Sequence, residues 1–279
     1  PCTGGFRSGG LKVGCHGHES PITLQPALRT SCNAYFCWGL KSLIDNHMSK
    51  YGSHSNAFEV WKNHLVSMGF GYKLGIDLPG EGRGFIPNSK TYNKVYGEGR
   101  WSANTIISIA IGQGEICATP LQIANLCATI ANRGWYITPH VVKEIQDTVM
   151  PEEYIAKHTP TIKSQYYDEV AMGMRMAVTG GTCRLAALDS IEVCGKTGTA
   201  QNPHGRDHSA FMGFAPYHNP KIAVCVYVEN AGFGATYGVP IGSLIIEKYL
   251  TGKISEKRKY LEQRMLESNT IIYSGVKKH

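Results

Sequence analysis

Apolar side chains recur at every third or fourth position from Asn33 to about Ser49 (Tyr35, Phe36, Leu40, Leu43, Ile44), the spacing that lines one face of a helix. Phe58 to Met68 repeats that spacing and stops at Gly69. The best-marked helix follows Thr119-Pro120-Leu121-Gln122: Thr119 is an N-cap, Pro120 takes the first helical position, Gln122 closes a capping box, and Gly134 after Arg133 is a C-terminal stop. Gln165 to Val178 is again amphipathic and ends at Gly180-Gly181. In the last third the period changes. Ile191 to Ala200, Ser209 to Ala215 and Ile222 to Glu229 are short runs rich in β-branched and aromatic residues, separated by Gly, Pro and Asn. They predict an antiparallel sheet, covered by a helix from about Ile241 to Leu250. Residues 1 to 30 read as a loop or irregular hairpin, residues 75 to 100 as a loop punctuated by Pro79-Gly80, Gly82, Gly84 and Pro87, and Val141 to Ile145 as a short strand. The charged tail from Lys253 to Glu267 predicts a solvated helix face rather than a binding element.

At 279 residues the chain is one large domain or two small ones, and a hydrophobic fraction of 42% is enough to bury a full core, which excludes a disordered chain. No apolar run reaches the roughly 18 to 20 residues that a bilayer span needs. The opening Pro1-Cys2-Thr3-Gly4-Gly5 reads as the inside of a folded region, so the chain is expected to be a fragment. The excess of 28 Lys and Arg over 21 Asp and Glu suits an anionic substrate or a membrane surface, but the positive residues are scattered, without the basic stripe that nucleic-acid binding requires. Six of the nine cysteines (Cys37, Cys117, Cys127, Cys183, Cys194, Cys225) sit among apolar neighbours and are expected to be core residues.

The others point to chemistry. Cys2, Cys15 and His18, with His16 beside them and Cys32 further on, form a Cys-x12-Cys-x2-His…Cys set of zinc-ligand types. A Cys2 to Cys15 disulfide, or free thiols with water-facing histidines, are the alternatives these residues leave open. His204 and His208 are expected to face solvent in a hairpin. Lys196-Thr197-Gly198-Thr199-Ala200 closes an apolar run: Lys196 makes the strand electropositive, Thr197 and Thr199 offer hydroxyls to a carboxylate, and Gly198 leaves room for a substrate backbone. Ser31-Cys32-Asn33 opens a helical run and can present a hydroxyl and an amide together; alone it would be an ordinary helix cap.

In this order, Ser-x-Asn and then Lys-Thr-Gly match the second and third motifs of the serine acyl-transferases that react with β-lactams. Gly112-Gln113-Gly114, Ala118-Thr119-Pro120-Leu121-Gln122-Ile123-Ala124 and Ala131-Asn132-Arg133-Gly134 resemble the stretch that marks class B penicillin-binding proteins, the monofunctional peptidoglycan transpeptidases. Ser31-Cys32-Asn33-Ala34-Tyr35-Phe36, Gly195-Lys196-Thr197-Gly198-Thr199-Ala200-Gln201 and Phe211-Met212-Gly213-Phe214-Ala215-Pro216 are similar to the same family, and within it to the elongation-type branch, penicillin-binding protein 2. The resemblance runs from about residue 1 to 250.

The resemblance implies an α+β fold of the β-lactamase/transpeptidase type: an antiparallel sheet flanked by helices, adjoining a mostly helical region, with the active-site cleft between the two. Residues 1–279 would be the C-terminal part of that domain, with 1–30 as a metal-binding loop and 251–279 as a C-terminal extension. It further implies that Ser31 relays a proton, Asn33 binds the substrate amide and Lys196 holds Ser31. Thr197, Gly198 and Thr199 would bind substrate, the two threonines receiving the terminal carboxylate and Gly198 leaving room beside the strand, and the Thr199 N–H would serve as half of an oxyanion hole. The expected ligands are peptidoglycan stem peptides and β-lactams, with a glycan-polymerising membrane partner and no nucleic acid. Some elongation-type relatives carry a structural zinc just before the Ser-x-Asn helix, which implies a zinc on Cys2, Cys15, His18 and Cys32. The expected location is the periplasmic side of a bacterial inner membrane. The pattern departs from the family in one respect: no Ser-x-x-Lys precedes Ser31. The one found, Ser274-Gly275-Val276-Lys277, stands in the wrong order in a polar tail, so the nucleophile is expected upstream of this sequence. A β-lactamase or carboxypeptidase of the same fold, and an inert scaffold, are the rival readings.

Overall fold

The computed structural model describes residues 1–20, 23–46 and 48–271. The chain divides into two compact units, Pro1–Gly173 and Met174–His279. Ser274 to Lys277 lies outside the described residues.

The first unit is mostly helical and opens with a hairpin. Strands β1 (Gly5–Ser8) and β2 (Leu11–Gly14) pair antiparallel from Gly5↔Gly14 to Ser8↔Leu11. The two-residue turn is Gly9-Gly10, with φ of 55° and 82°, the left-handed pair that a tight hairpin demands. Helix α1 (Leu24–Thr30) follows, in a stretch read from the sequence as loop. Pro26 looks like a breaker there, but in a first turn its missing N–H has no helical partner to lose. The periodic run from Asn33 is one helix only as far as Lys41 (α2, Asn33–Lys41), then a wide π-type turn at Ser42–Asn46 and a short helix α3 (Met48–Tyr51). The turn sets Asp45 among Lys41, His54 Nε2 at 3.3 Å and the Ala103 amide, which donates to its carboxylate at 3.0 Å.

Helix α4 (His54–Ser67) supplies Phe58, which meets Tyr92 and Trp101 edge-on at centroid distances of 5.3 and 5.7 Å in the core of this unit. Tyr92 belongs to α5 (Ser89–Tyr96), a helix inside the stretch expected to be loop, started by a capping box between Asn88 and Thr91. Helix α6 (Pro120–Ala131) begins on the expected box, with Gln122 N–H donating to Thr119 Oγ1 at 3.2 Å and Thr119 N–H to Gln122 Oε1 at 3.0 Å. Gln122 is also completely buried, and its Nε2 donates to the Tyr72 and Arg83 carbonyls at 2.9 Å each, so one cap residue ties down two loops. Val141 to Ile145 does not form the expected strand. The Val141 and Val142 amides donate instead to the Asp77 carboxylate, and among the described residues the only ladder contact there is an isolated Ile145↔Thr148 bridge.

Helix α7 (Gln165–Gly180) carries the chain into the second unit. There β3 (Cys194–Ala200), β4 (His208–Ala215) and β5 (Ile222–Val228) form the expected antiparallel sheet in the order β3-β4-β5, with Thr197↔Phe211 in register. Helix α8 (Gly238–Thr251) packs on it through Phe211. The Phe211 ring lies against three glycines: a Cβ on Gly195 or Gly213 would stand 2.5 Å from it, and one on Gly242 of α8 would also collide with it. The missing side chains are the space the ring fills.

The tail is not merely a solvated face. After a 3-10 turn at Glu256–Arg258 comes α9 (Lys259–Glu267), and Arg258 and Leu261 are both buried. Arg258 Nη1 donates to the Leu185 and Ala187 carbonyls at 3.2 and 3.0 Å, while its Nε lies 2.9 Å from Glu247. Of the six cysteines expected in the core, Cys37, Cys127, Cys183 and Cys194 are buried, Cys225 is half-buried and Cys117 is exposed beside its bridge partner Phe85. His204 is exposed as expected; His208 is half-buried, its Nδ1 accepting from Asn230 N–H at 3.1 Å.

Truncating Phe211 to Ala leaves a void that three glycines cannot fill, and an expected loss of about 3–5 kcal/mol. A fall in the urea midpoint of the second unit's transition checks it; a loss below about 1 kcal/mol, the range of an ordinary surface change, would reject this packing.

Candidate functional site

Four ligand-type side chains converge in the first unit. The thiol sulfurs of Cys2, Cys15 and Cys32 and a ring nitrogen of His18 all lie within 4.8 Å of one another. Local structure explains how. The hairpin ladder is extended by Cys15 N–H donating to the Gly4 carbonyl at 3.1 Å, which brings residues 2 and 15 to the same end of the hairpin. Cys32 is the N-cap of α2, its sulfur accepting from Tyr35 N–H at 3.4 Å, and Ala34 N–H donates to Cys15 Sγ at 3.2 Å. Two of the open amides of the helix's first turn are thereby satisfied by sulfur.

The chemistry of the set fits a tetrahedral metal. With metal–sulfur bonds of about 2.3 Å, a regular tetrahedron places its sulfurs about 3.8 Å apart. Cys15 Sγ and Cys32 Sγ stand 3.9 Å apart, and all nine cysteines are free, so the Cys2 to Cys15 disulfide is not formed. His18 Nδ1 is 2.9 Å from the Glu19 carbonyl and so carries the proton there, leaving Nε2 as a lone-pair donor; that atom is buried and has no hydrogen-bond partner among the described residues. Burial and the neighbouring sulfurs push the Cys32 thiol up to about 12 and raise Cys15. At Cys2 the same desolvation is outweighed by hydrogen bonds from the Gly4 backbone and from Cys15 and Cys32, which hold its thiol below the usual range. Three sulfurs so close together ionise together only around a cation. A cavity of about 490 Å³, lined by Pro1, Cys2, Cys32, Ala34, Tyr35, Trp38 and Gly39, gives an ion a route to the cluster. His16, adjacent in sequence, is not one of the four.

The Ser-x-Asn triplet straddles this cluster. Ser31 ends α1 in the left-handed conformation, φ 55° and ψ 51°, and the next residue, Cys32, caps α2. A non-glycine residue held there costs about 1–2 kcal/mol of backbone strain. The ends of two helices and a candidate metal ligand thus fix its backbone. Asn33 Nδ2 donates to the Gly14 carbonyl at 2.8 Å, a further tie between hairpin and helix.

The Lys-Thr-Gly motif lies in the second unit, on β3. Successive side chains alternate faces, so Lys196 and Gly198 share one and Thr197 and Thr199 the other. Lys196 Nζ donates to the Thr197 carbonyl at 2.9 Å. Desolvation pulls its ammonium below the usual lysine range, against the opposite influence of the neighbouring Cys183, whose own thiol is pushed up to about 11 by burial. Thr197 Oγ1 donates to Thr182 Oγ1 at 2.9 Å, and Thr199 Oγ1 accepts from Gly234 N–H at 3.3 Å. Thr182 and Gly234 carry no motif; only the fold brings them to β3.

The sequence family of the penicillin binding protein transpeptidase domain matches residues 4–247. The chain belongs to this family. The peptidoglycan D,D-transpeptidase MrdA of Haemophilus influenzae is 34% identical over 221 residues, 71% of this chain and 34% of that protein. Penicillin-binding protein PBP2 of Pseudomonas aeruginosa, solved in complex with WCK 5153, superposes with a TM-score of 0.75 at 27% identity, covering 91% of this chain and 54% of that one. A peptidoglycan synthase complex, described for its coordination of polymerization and crosslinking, matches with a TM-score of 0.73 at 25% identity over 91% of this chain and 42% of that one. The chain spans about a third of the length of the curated relatives it matches. Ser31-Cys32-Asn33 and Lys196-Thr197-Gly198-Thr199, together with Cys15 and His18, fall inside the family match; Cys2 lies just outside it.

As isolated with zinc, the transpeptidase domain is expected to hold one ion per chain, and Cys15→Ser to lose it; metal analysis of both proteins checks this. After chelation, Cys2 should be alkylated first and Cys32 last of the three cluster cysteines, because a lowered thiol pKa leaves more thiolate near neutral pH and a raised one less. Mass spectrometry of a quenched iodoacetamide time course reads the order, and the reverse order would contradict it.

Proposed function

We propose that this chain is the C-terminal part, residues 1–279, of an elongation-type D,D-transpeptidase domain that cross-links peptidoglycan stem peptides through a serine acyl-enzyme and is acylated by β-lactams. The observation that carries the reading is the ordered pair of motifs inside one family match: Ser31-Cys32-Asn33 at the start of α2 and Lys196-Thr197-Gly198-Thr199 on β3. The nucleophile is the serine of a Ser-x-x-Lys segment upstream of Ser31 in the intact protein. It attacks the penultimate D-Ala carbonyl of a donor stem, the terminal D-Ala leaves as a free amine, and an acceptor stem's amine then takes the acyl group and restores the serine.

Residues of this chain serve the steps around that serine. Ser31 passes a proton to the departing amine, and Lys196 supplies a positive field. Asn33, through its amide, binds the stem-peptide backbone. The proton of the Thr199 hydroxyl remains available to a carboxylate, because its oxygen already accepts from Gly234. The Thr199 N–H contributes to the oxyanion hole, and Gly198 keeps the strand open to the substrate backbone.

Cys2, Cys15, His18 and Cys32 would hold one zinc, making residues 1–30 a metal-binding loop. Such an ion supplies no acyl-transfer chemistry; it cross-links hairpin and helix. Residues 251–279, which follow the family match, would be a C-terminal extension. The related synthase complex, described for its coordination of polymerization and crosslinking, supports a glycan-polymerising partner, and the reading places this domain on the periplasmic side of a bacterial inner membrane. Among the described residues no helix is long and apolar enough to cross a membrane. The Gly112-Gln113-Gly114 and Ala131-Asn132-Arg133-Gly134 runs favour a transpeptidase over a β-lactamase or carboxypeptidase.

Fluorescent penicillin separates these readings. The intact protein should be labelled and should deacylate slowly. Thr199→Val should lower its second-order acylation constant by about 10- to 100-fold, the worth of one hydrogen bond to a charged group. Fast deacylation would mean a β-lactamase, and absence of label on the intact protein a scaffold.

A further inference from the structure

Thr182 belongs to no motif, yet it holds the hydroxyl of Thr197. We infer that Thr182 is a positioning residue for carboxylate recognition by Thr197, an inference that rests on the proposed role of the Lys-Thr-Gly strand.

The two threonines of that strand are wired differently. Thr199 Oγ1 accepts from Gly234 N–H and keeps its own proton for an anion. Thr197 Oγ1 gives its proton to Thr182 Oγ1 at 2.9 Å. To donate to a carboxylate, the Thr197 hydroxyl must turn away from Thr182. A hydroxyl has one proton and two acceptor sites, so the pair can reverse: Thr182 then donates into Thr197, and Thr197 donates into the carboxylate. Neither oxygen is left unsatisfied in either state, and a donor that is itself accepting a hydrogen bond is a stronger donor. Thr182 therefore orients the Thr197 rotor without ligand and polarises it with ligand.

This role requires that Thr182 itself be held, and the structure holds it from both sides. Upstream, Gly181 and Cys183 N–H both donate to the Ala177 carbonyl of α7, at 3.1 and 2.9 Å. Downstream, the 3-10 turn Arg184–Ala186 is clasped by the buried Arg258, which reaches the Leu185 and Ala187 carbonyls and donates to Ser243 Oγ at 2.5 Å. Glu247, buried beside the Arg258 guanidinium, accepts from Ser255 N–H at 3.1 Å and so fixes the approach to Arg258. The tail after α8 thus acts as a strut beneath the turn that carries Thr182.

The test uses the intact protein bearing its nucleophile, with benzylpenicillin, whose carboxylate is the probe. Saturation kinetics separate the binding constant K from the maximal acylation rate. Thr182→Val should raise K about fivefold, the effect of one neutral hydrogen bond, with the maximal rate and Tm unchanged. Thr182→Ser, which keeps the hydroxyl, should restore K. Thr197→Val should raise K further, and the double variant Thr182→Val/Thr197→Val should be no worse than Thr197→Val alone, because the residues act in series. Should Thr182→Val fold poorly, Thr182→Ala provides the same comparison with Thr182→Ser. A normal K in the hydroxyl-free variant while Thr197→Val binds weakly, or independent effects in the double variant, overturns the inference alone. A normal K in Thr197→Val overturns the carboxylate reading of the strand and this inference with it.

Discussion

The first-turn amides of α2 end on sulfur. Tyr35 N–H donates to Cys32 and Ala34 N–H to Cys15, so a helix start that ordinarily turns to a serine or aspartate oxygen is completed by two potential metal ligands. The first unit's site depends on this arrangement. Cys15 comes from the hairpin, Cys32 from the helix, and the Ser31 and Asn33 positions flank the shared cap. Cys32 therefore sets the geometry of the Ser-x-Asn motif from within it. A cation on the four ligands would convert weak N–H···S contacts into charge-assisted ones, because the sulfurs would then be thiolates. Without a cation, burial keeps Cys32 protonated and the cap weak.

In the second unit the controlling feature is close packing around a single ring. Phe211 occupies the space left by Gly195, Gly213 and Gly242, and its register partner on β3 is Thr197. Gly195 immediately precedes Lys196, so the residue that admits the ring also introduces the motif. Arg258, far along the chain, braces the turn after α7 from below. Its guanidinium and Glu247 are both buried, an arrangement that is costly to break because either partner alone would be left charged and unpaired.

What could be read from the sequence divides along local and non-local lines. The Thr119 to Gln122 box, the Gly134 stop, the three strands of the sheet and the covering helix were all legible, since each is written in a few adjacent residues. Helix α5 was hidden because its box closes on Thr91 rather than on Glu or Gln, and α1 because Pro26 reads as a breaker in isolation. Val141 to Ile145 has strand-like residues but no partner strand among the described residues, and Asp77 takes the Val141 and Val142 amides; no local pattern reports that. The metal-ligand types were visible, whereas their convergence needed the hairpin register and the helix cap. Thr182 and Arg258 had no signal at all, because their partners lie 15 and more than 70 residues away.

The cluster at Cys2, Cys15, His18 and Cys32 fixes the start of α2, and with it the Ser-x-Asn motif. Amide hydrogen exchange on the zinc-loaded and chelated protein tests it at the two amides that end on sulfur, Ala34 and Tyr35. Strong protection of both with zinc, lost on chelation while the amides of β4 stay protected, is the result this account predicts. Equal protection at Ala34 and Tyr35 with and without the metal would contradict it.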